Sequence, residues 1–195
     1  MINRTPFRSA CLAAAIALGS VAMVGCTTTP ATSQATPGAS RASMESQVDA
    51  TLSRLYNTVP GSRDMVQRSA GVLVFPAVVG GSFVVGAEHG RGALRVGGRT
   101  VDYYSTTAGS LGFQAGGQSK AIVYVFNSRD ALNKFRNSNG WSAGADATVA
   151  VGTIGANGAV DTQTLQQPVA SFVMTNVGLE AGVSVQGAKI TKISL

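Results

Sequence analysis

The sequence predicts an α+β protein, mainly antiparallel β, whose glycine-rich sheet closes or nearly closes into a barrel or sandwich behind an N-terminal amphipathic helix. Three observations carry this expectation. Apolar or alternating runs punctuated by glycine follow one another after residue 70. Helical periodicity is confined to the segment before Pro60 and to one or two short stretches. Strands and helices do not alternate regularly, which argues against a parallel sheet built from βαβ units.

Taken in chain order, the first element is an export signal. Arg4 and Arg8 form a positive leader, Ala10 to Val24 is almost wholly apolar, and a small residue, Gly25, precedes Cys26. An apolar core of about fifteen residues is short of the roughly 20 needed to span a bilayer. The pattern is similar to a bacterial lipoprotein signal, in which residues 1–25 are removed and Cys26 becomes the first mature residue, carrying acyl chains such as palmitate. Thr27, where Asp would favour inner-membrane retention, implies the outer membrane, facing the periplasm. Residues 26–43, reading TTTPATSQATPGASRAS from Thr27 onward, lack hydrophobic period and are expected to be a flexible tether.

Residues 44–195 are expected to form one domain. Met44, Val48, Leu52, Leu55 and Tyr56 fall at helical spacing with Glu45, Asp49 and Arg54 on the other side, which predicts an amphipathic helix over 43–57. Pro60 and Gly61 break it, and a short second helix is expected over 62–68. GVLVF at 71–75 is a continuous apolar run stopped by Pro76, as for a buried strand. Residues 82–96 and 103–115 read as long strands, with glycine pairs at 80–81, 97–98 and 116–117 as interruptions. AIVYVF at 121–126 is another strand. Ser128 can cap a helix over 128–137 whose Ala131, Leu132 and Phe135 share a face. Residues 141–151, 169–174, 179–186 and 190–195 return to strand character. In the alternating segment Leu179, Ala181, Val183 and Val185 face inward.

Composition narrows the chemistry. Fifteen Lys and Arg against nine Asp and Glu give +6, and loss of Arg4 and Arg8 leaves +4, scattered along the chain rather than clustered with aromatic residues, so nucleic acid is not an expected partner. Cys11 leaves with the signal and the Cys26 sulfur is acylated, so no disulfide and no Cys/His metal site is expected. His89 is the one histidine and reads as an exposed polar residue of a strand. GWSAG at 140–144 fits a nucleophile-elbow pattern around Ser142 but lacks the strand before, the helix after and a later histidine. GFQAGGQS at 112–119 places Gln118 where a phosphate-binding loop needs lysine, with Lys120 two positions late. Neither enzyme activity nor a cofactor is expected.

AGVLVFP at 70–76, GSFVVGAEHGRGAL at 81–94, SLGFQAGGQSKAIVYVF at 110–126, GADATVAVG at 144–152 and GLEAGVSVQGAKI at 178–190 together resemble the SYLF domain, in matching order and spacing over roughly residues 48–194. The resemblance implies a lipid-binding domain; eukaryotic members bind phosphoinositides and regulate actin at membranes, and many bacteria carry a similar lipoprotein form. Family members usually have Trp followed by Pro between the second and third blocks, where this chain has Asp102, Tyr103 and Tyr104, so no role passes to that position. The resemblance further implies membrane contact through the helix at 44–56, with Arg54, Arg63 and Arg68 toward phosphate; the alternative is that this helix packs on the sheet. Arg91, Arg95 and Arg99, four residues apart, would share one side of an extended strand. The expected partner is therefore the phospholipid membrane. A second reading, a structural or interaction lipoprotein contacting another envelope or host protein, stays open.

Overall fold

A computed structural model describes residues 37–82, 85–111, 114–156, 158–180, 183 and 185–195. The signal segment, Cys26 and residues 27–36 of the expected tether lie outside these. The described residues form four helices, α1 (Pro37–Thr58), α2 (Ser62–Arg68), α3 (Arg129–Asn137) and α4 (Thr162–Gln166). They also form nine strands: β1 (Gly71–Ser82), β2 (Val85–Val96), β3 (Arg99–Leu111), β4 (Gln114–Phe126), β5 (Trp141–Ser142), β6 (Ala150–Val151), β7 (Val169–Thr175), β8 (Gly178–Leu179) and β9 (Lys189–Ile193).

The strands make one sheet in the order β5-β9-β3-β2-β1-β4-β7-β6, with β8 on β7, antiparallel except between β6 and β7. This is a strongly curled half-barrel. The expected closure does not occur: the end strands β5 and β6 are two residues each and do not pair with one another. The inner space is filled by α3 and Trp141 instead of by a closing strand pair. The curl itself follows from connectivity. β1, β2 and β3 are successive hairpins and β4 returns beside β1, a Greek key. In a flat sheet β3 and β4 would lie three strand spacings apart, about 14 Å. Leu111 and Gln114 are only three residues apart in sequence, which limits their Cα separation to about 11 Å. The sheet must bend to let the chain through.

Pro76 supplies part of that bend. The sequence suggests that it ends a strand, but β1 continues to Ser82 and the register with both β2 and β4 breaks around Pro76 and Ala77. A bulge tolerates a residue that has no N–H to donate. Opposite the bulge, Gly92 comes so close to Val74 and Phe75 that a Cβ there would collide with backbone. Of the three glycine pairs, only Gly97 and Gly98 make a turn, both with positive φ in the two-residue β2–β3 hairpin. Gly80, Gly81, Gly116 and Gly117 lie within strands β1 and β4.

Both faces of the sheet are covered, which explains the unbroken apolar runs: Val72 to Phe75, Ala121 to Phe126 and Val169 to Met174 are buried throughout. The inner face carries Leu73, Phe75, Leu94, Tyr124 and Phe126, and α3 docks on it through Leu132 and Phe135. Ser128 caps α3 as expected, accepting a hydrogen bond from the Ala131 N–H at 3.1 Å. Phe135 sits 4.8 to 5.5 Å from the rings of Tyr104, Phe126 and Trp141. The Tyr104 and Tyr124 hydroxyls are buried without a hydrogen-bond partner among the described residues. Burial raises both phenols, and Tyr104, with Asp102 adding to the effect, reaches about 12.

The outer face carries Val72, Val74, Ala93, Val123 and Val125 under α1 and α2, where Val48, Leu52 and Leu55 of α1, Val59 of the connection and Met65 of α2 are buried. α1 starts six residues before the periodicity suggests, at Pro37, since proline is accommodated in a first turn, and Arg41 in this extension donates to the Leu195 backbone oxygen at 3.1 Å. The C-terminal part departs most from expectation. Between 141 and 151 only the two ends are strand, and α4 was not anticipated. Past Leu179 the described residues show no further strand until β9, although Val185 is buried as expected.

Candidate functional site

Alternation along β2 sorts its charged residues between the two faces. Ala93 belongs to the outer cluster and Leu94 to the inner one, so His89, Arg91 and Arg95 lie outward, with Glu88 inward. Arg99 does not share the strand: the Gly97–Gly98 turn separates it from β2, and it opens β3 as an exposed residue.

Arg95 is the least available of the six arginines singled out by sequence. Its side chain is only 12% exposed and is held by Glu45 at 2.8 Å and Asp49 at 2.5 Å, both from α1. Glu45 also accepts from Thr100 at 2.8 Å and from the Tyr103 hydroxyl at 3.0 Å. Burial alone would raise the Glu45 carboxyl, but these hydrogen bonds and the guanidinium charge outweigh it and hold the group below its usual value. Arg95 is therefore a latch between helix and sheet, and Glu45 and Asp49 on the charged side of α1 are the other half of it.

On the helices, Arg54 and Arg63 are exposed, Arg63 lying 4.5 Å above the Tyr56 ring. Arg68 is exposed and pairs with Asp64 at 3.9 Å. Because α1 commits its apolar side to the sheet, the alternative of a packed helix is the one the structure adopts. Among the described residues no helix is long and apolar enough to cross a membrane.

Arg91 is exposed and lines a concavity of about 390 Å³ with His89, Ser40, Ser105 and the chain from Ile193 to Leu195. Register explains the grouping: Arg91 lies opposite Ser105, which lies opposite Thr191, and His89 lies opposite Thr107, which lies opposite exposed Lys189. His89 Nδ1 is 3.4 Å from Thr107 Oγ1. Arg41 closes the helix side through its bond to Leu195. Cationic groups interleaved with hydroxyls in an open hollow suit a phosphate oxygen, which accepts from both kinds of donor. Ser40, Arg41, Ser105 and Lys189 were not legible as a group, because they come from three distant segments. Ser142 ends the two-residue β5 and leads into a turn, with its N–H bonded to Asp146, so it occupies no strand-to-helix elbow.

A curled, mostly antiparallel sheet with helices on both faces, and a cationic hollow beside α1, define an α+β domain. Residues 107–194 match the Ysc84 family, described as "Las17-binding protein actin regulator", which is the SYLF domain that the glycine-rich blocks resemble. The matched segment runs from β3 through β9. No curated protein matches the chain.

Proposed function

We propose that this is a non-enzymatic, membrane-anchored domain that contacts anionic phospholipid headgroups, tethered through acylated Cys26 to the outer membrane on its periplasmic side. The match to the Ysc84 (SYLF) domain supports a lipid-binding or actin-regulator-like role. The observation that carries the finer reading is the hollow at Arg91, lined by a guanidinium, an imidazole and the three serines Ser40, Ser105 and Ser194 at one exposed place. Each Lys or Arg brought to an anionic surface contributes about 1 kcal/mol, so Arg41, Arg91 and Lys189 together give a modest, salt-sensitive attraction that the tether makes continuous.

The test is vesicle flotation with the full chain carrying Cys26→Ser, so that no acyl chain contributes. Phosphatidylglycerol vesicles should retain it, salt should weaken that retention, and Arg91→Glu with Lys189→Glu should reduce it by about tenfold. Retention unaffected by both changes would remove the reading. A protein-interaction role in the envelope is the second reading. It is favoured by the outer edges of β3 from Ala108 and of β4 before Ala121, which have no partner strand among the described residues, since β9 pairs β3 over Tyr103 to Thr107 and β7 pairs β4 over Ala121 to Phe126.

A further inference from the structure

Strands β1 to β4 run well past the packed core, and their inner face changes character there. Where Phe75, Leu94, Tyr124 and Phe126 fill the core, the projecting half presents Gly80, Gly90 and Ala108 together with one charge pair, Glu88 and Lys120. Glu88 stands on β2 and Lys120 on β4, with β1 between them. They meet at 2.9 Å across Gly80, which is the register partner of Glu88. A Cβ at position 80 would come within 2.6 Å of the Glu88 Cγ. Glycine at that position is what lets the carboxylate lie down across the central strand and reach the ammonium.

The pair lines a cavity of about 190 Å³ with Val78, Thr106, Ala108 and Ile122. Both side chains are 21% exposed, so each has given up most of its hydration. The Lys120 ammonium donates to Glu88, and the Gln186 amide lines the same cavity. An ammonium has three N–H groups and a carboxylate about four acceptor positions, so the contact of Nζ with the two carboxylate oxygens, at 3.0 and 2.9 Å, uses only part of this capacity beside the cavity. A lone anion entering here would meet the Glu88 charge, and a lone cation would meet Lys120. A ligand carrying both charges a few ångströms apart satisfies the two at once and exposes neither.

We propose that this inner mouth is a second binding site, which takes a phosphate linked through a short chain to a primary ammonium: the phosphate on Lys120, the ammonium on Glu88. The cavity equals about six water volumes, enough for such a headgroup and too small for acyl chains, which would remain outside. A trimethylated ammonium, as in choline, has no N–H for Glu88 and is the natural control. The site lies on the face of the sheet opposite Arg91, and so is independent of the anionic contact proposed above.

The same chemistry can come from a lipid headgroup or from a free zwitterion, and two arms separate these. In the first, calorimetry of the full chain with Cys26→Ser compares phosphoethanolamine with phosphocholine, ethanolamine and inorganic phosphate. In the second, flotation compares phosphatidylcholine vesicles with and without phosphatidylethanolamine. Phosphoethanolamine should bind at least about tenfold more tightly than the other three, and Glu88→Gln with Lys120→Gln, a near-isosteric neutral pair, should abolish that preference. That variant should keep its melting temperature within a few degrees and keep Arg91-dependent retention on phosphatidylglycerol vesicles. Ethanolamine-headgroup vesicles preferred by the parent and not by the variant identify a lipid source; preference for the soluble compound alone identifies a free zwitterion. If neither arm distinguishes ethanolamine from choline, or the double variant keeps the preference, the site is only a structural ion pair.

Discussion

Glu45 shows how much one carboxylate can decide. It gathers Arg95, Thr100 and Tyr103 and, with Asp49, ties α1 to β2 and β3. Its folded value is held below the ordinary 4.5, so its contribution is complete above about that pH and is lost as pH falls through the lower, folded value. Thermal melts of the parent should therefore lose more stability between pH 6 and pH 3 than those of Glu45→Gln, in which this contribution no longer titrates. Equal acid limbs in the two proteins would show that the latch adds nothing. The same residue explains why spacing misjudged Arg95. A four-residue interval places a side chain on a face, but whether that face meets water or a helix depends on residues 46 to 50 positions away.

At the scale of elements, glycine has two separate jobs that look identical in sequence. Gly97 and Gly98 adopt positive φ to turn the β2–β3 hairpin, whereas Gly92 has no unusual φ and is required because the bulged β1 backbone crowds it. Gly92→Ala should cost at least about 2 kcal/mol of unfolding free energy, since the nearest colliding atom is the Val74 carbonyl oxygen, which is backbone and cannot swing away. Gly109→Ala on the neighbouring β3 meets nothing within 4 Å and should change stability by less than about 0.5 kcal/mol. Denaturant titration of the two variants separates crowding from a general intolerance of alanine in these strands. α3 was legible in full because capping and apolar spacing are local, with Ser128 bonded to Ala131 and Phe135 facing the core. The strand expected over 179–186 was legible only at its start, where Leu179 in β8 pairs with Met174 of β7, because alternation satisfies a strand pattern whether or not a partner strand continues beside it.

For the whole molecule, both faces of the sheet are covered, and the two proposed contacts lie at the hollow by Arg91 on the outer face and at the charge pair of Glu88 and Lys120 on the inner face. Both sit on the same four long strands. The proposed anchor at Cys26 would hold these surfaces at the membrane. Fractionation of cells expressing the chain should place it with the outer membrane, and mass spectrometry should find acyl chains on a mature N-terminal Cys26. Cys26→Ser should shift it to the soluble periplasmic fraction; an unmodified, soluble parent protein would sink the anchored reading.

Local order was decided by the sequence itself: buried strands from continuous apolar runs, α1 and α3 from period and caps, the β2–β3 turn from Gly97 and Gly98, and a family resemblance that its match over residues 107–194 supports. Tertiary structure alone decided that the sheet curls without closing, that Pro76 bends a strand it was expected to end, and that Arg95 faces α1 while Arg91 faces water. The physical reason is range. Propensity, capping and periodicity act over a few residues and are written in neighbouring letters, whereas pairing order, ion pairing and the exposure of a charge are set between segments that only the folded chain brings within a few ångströms.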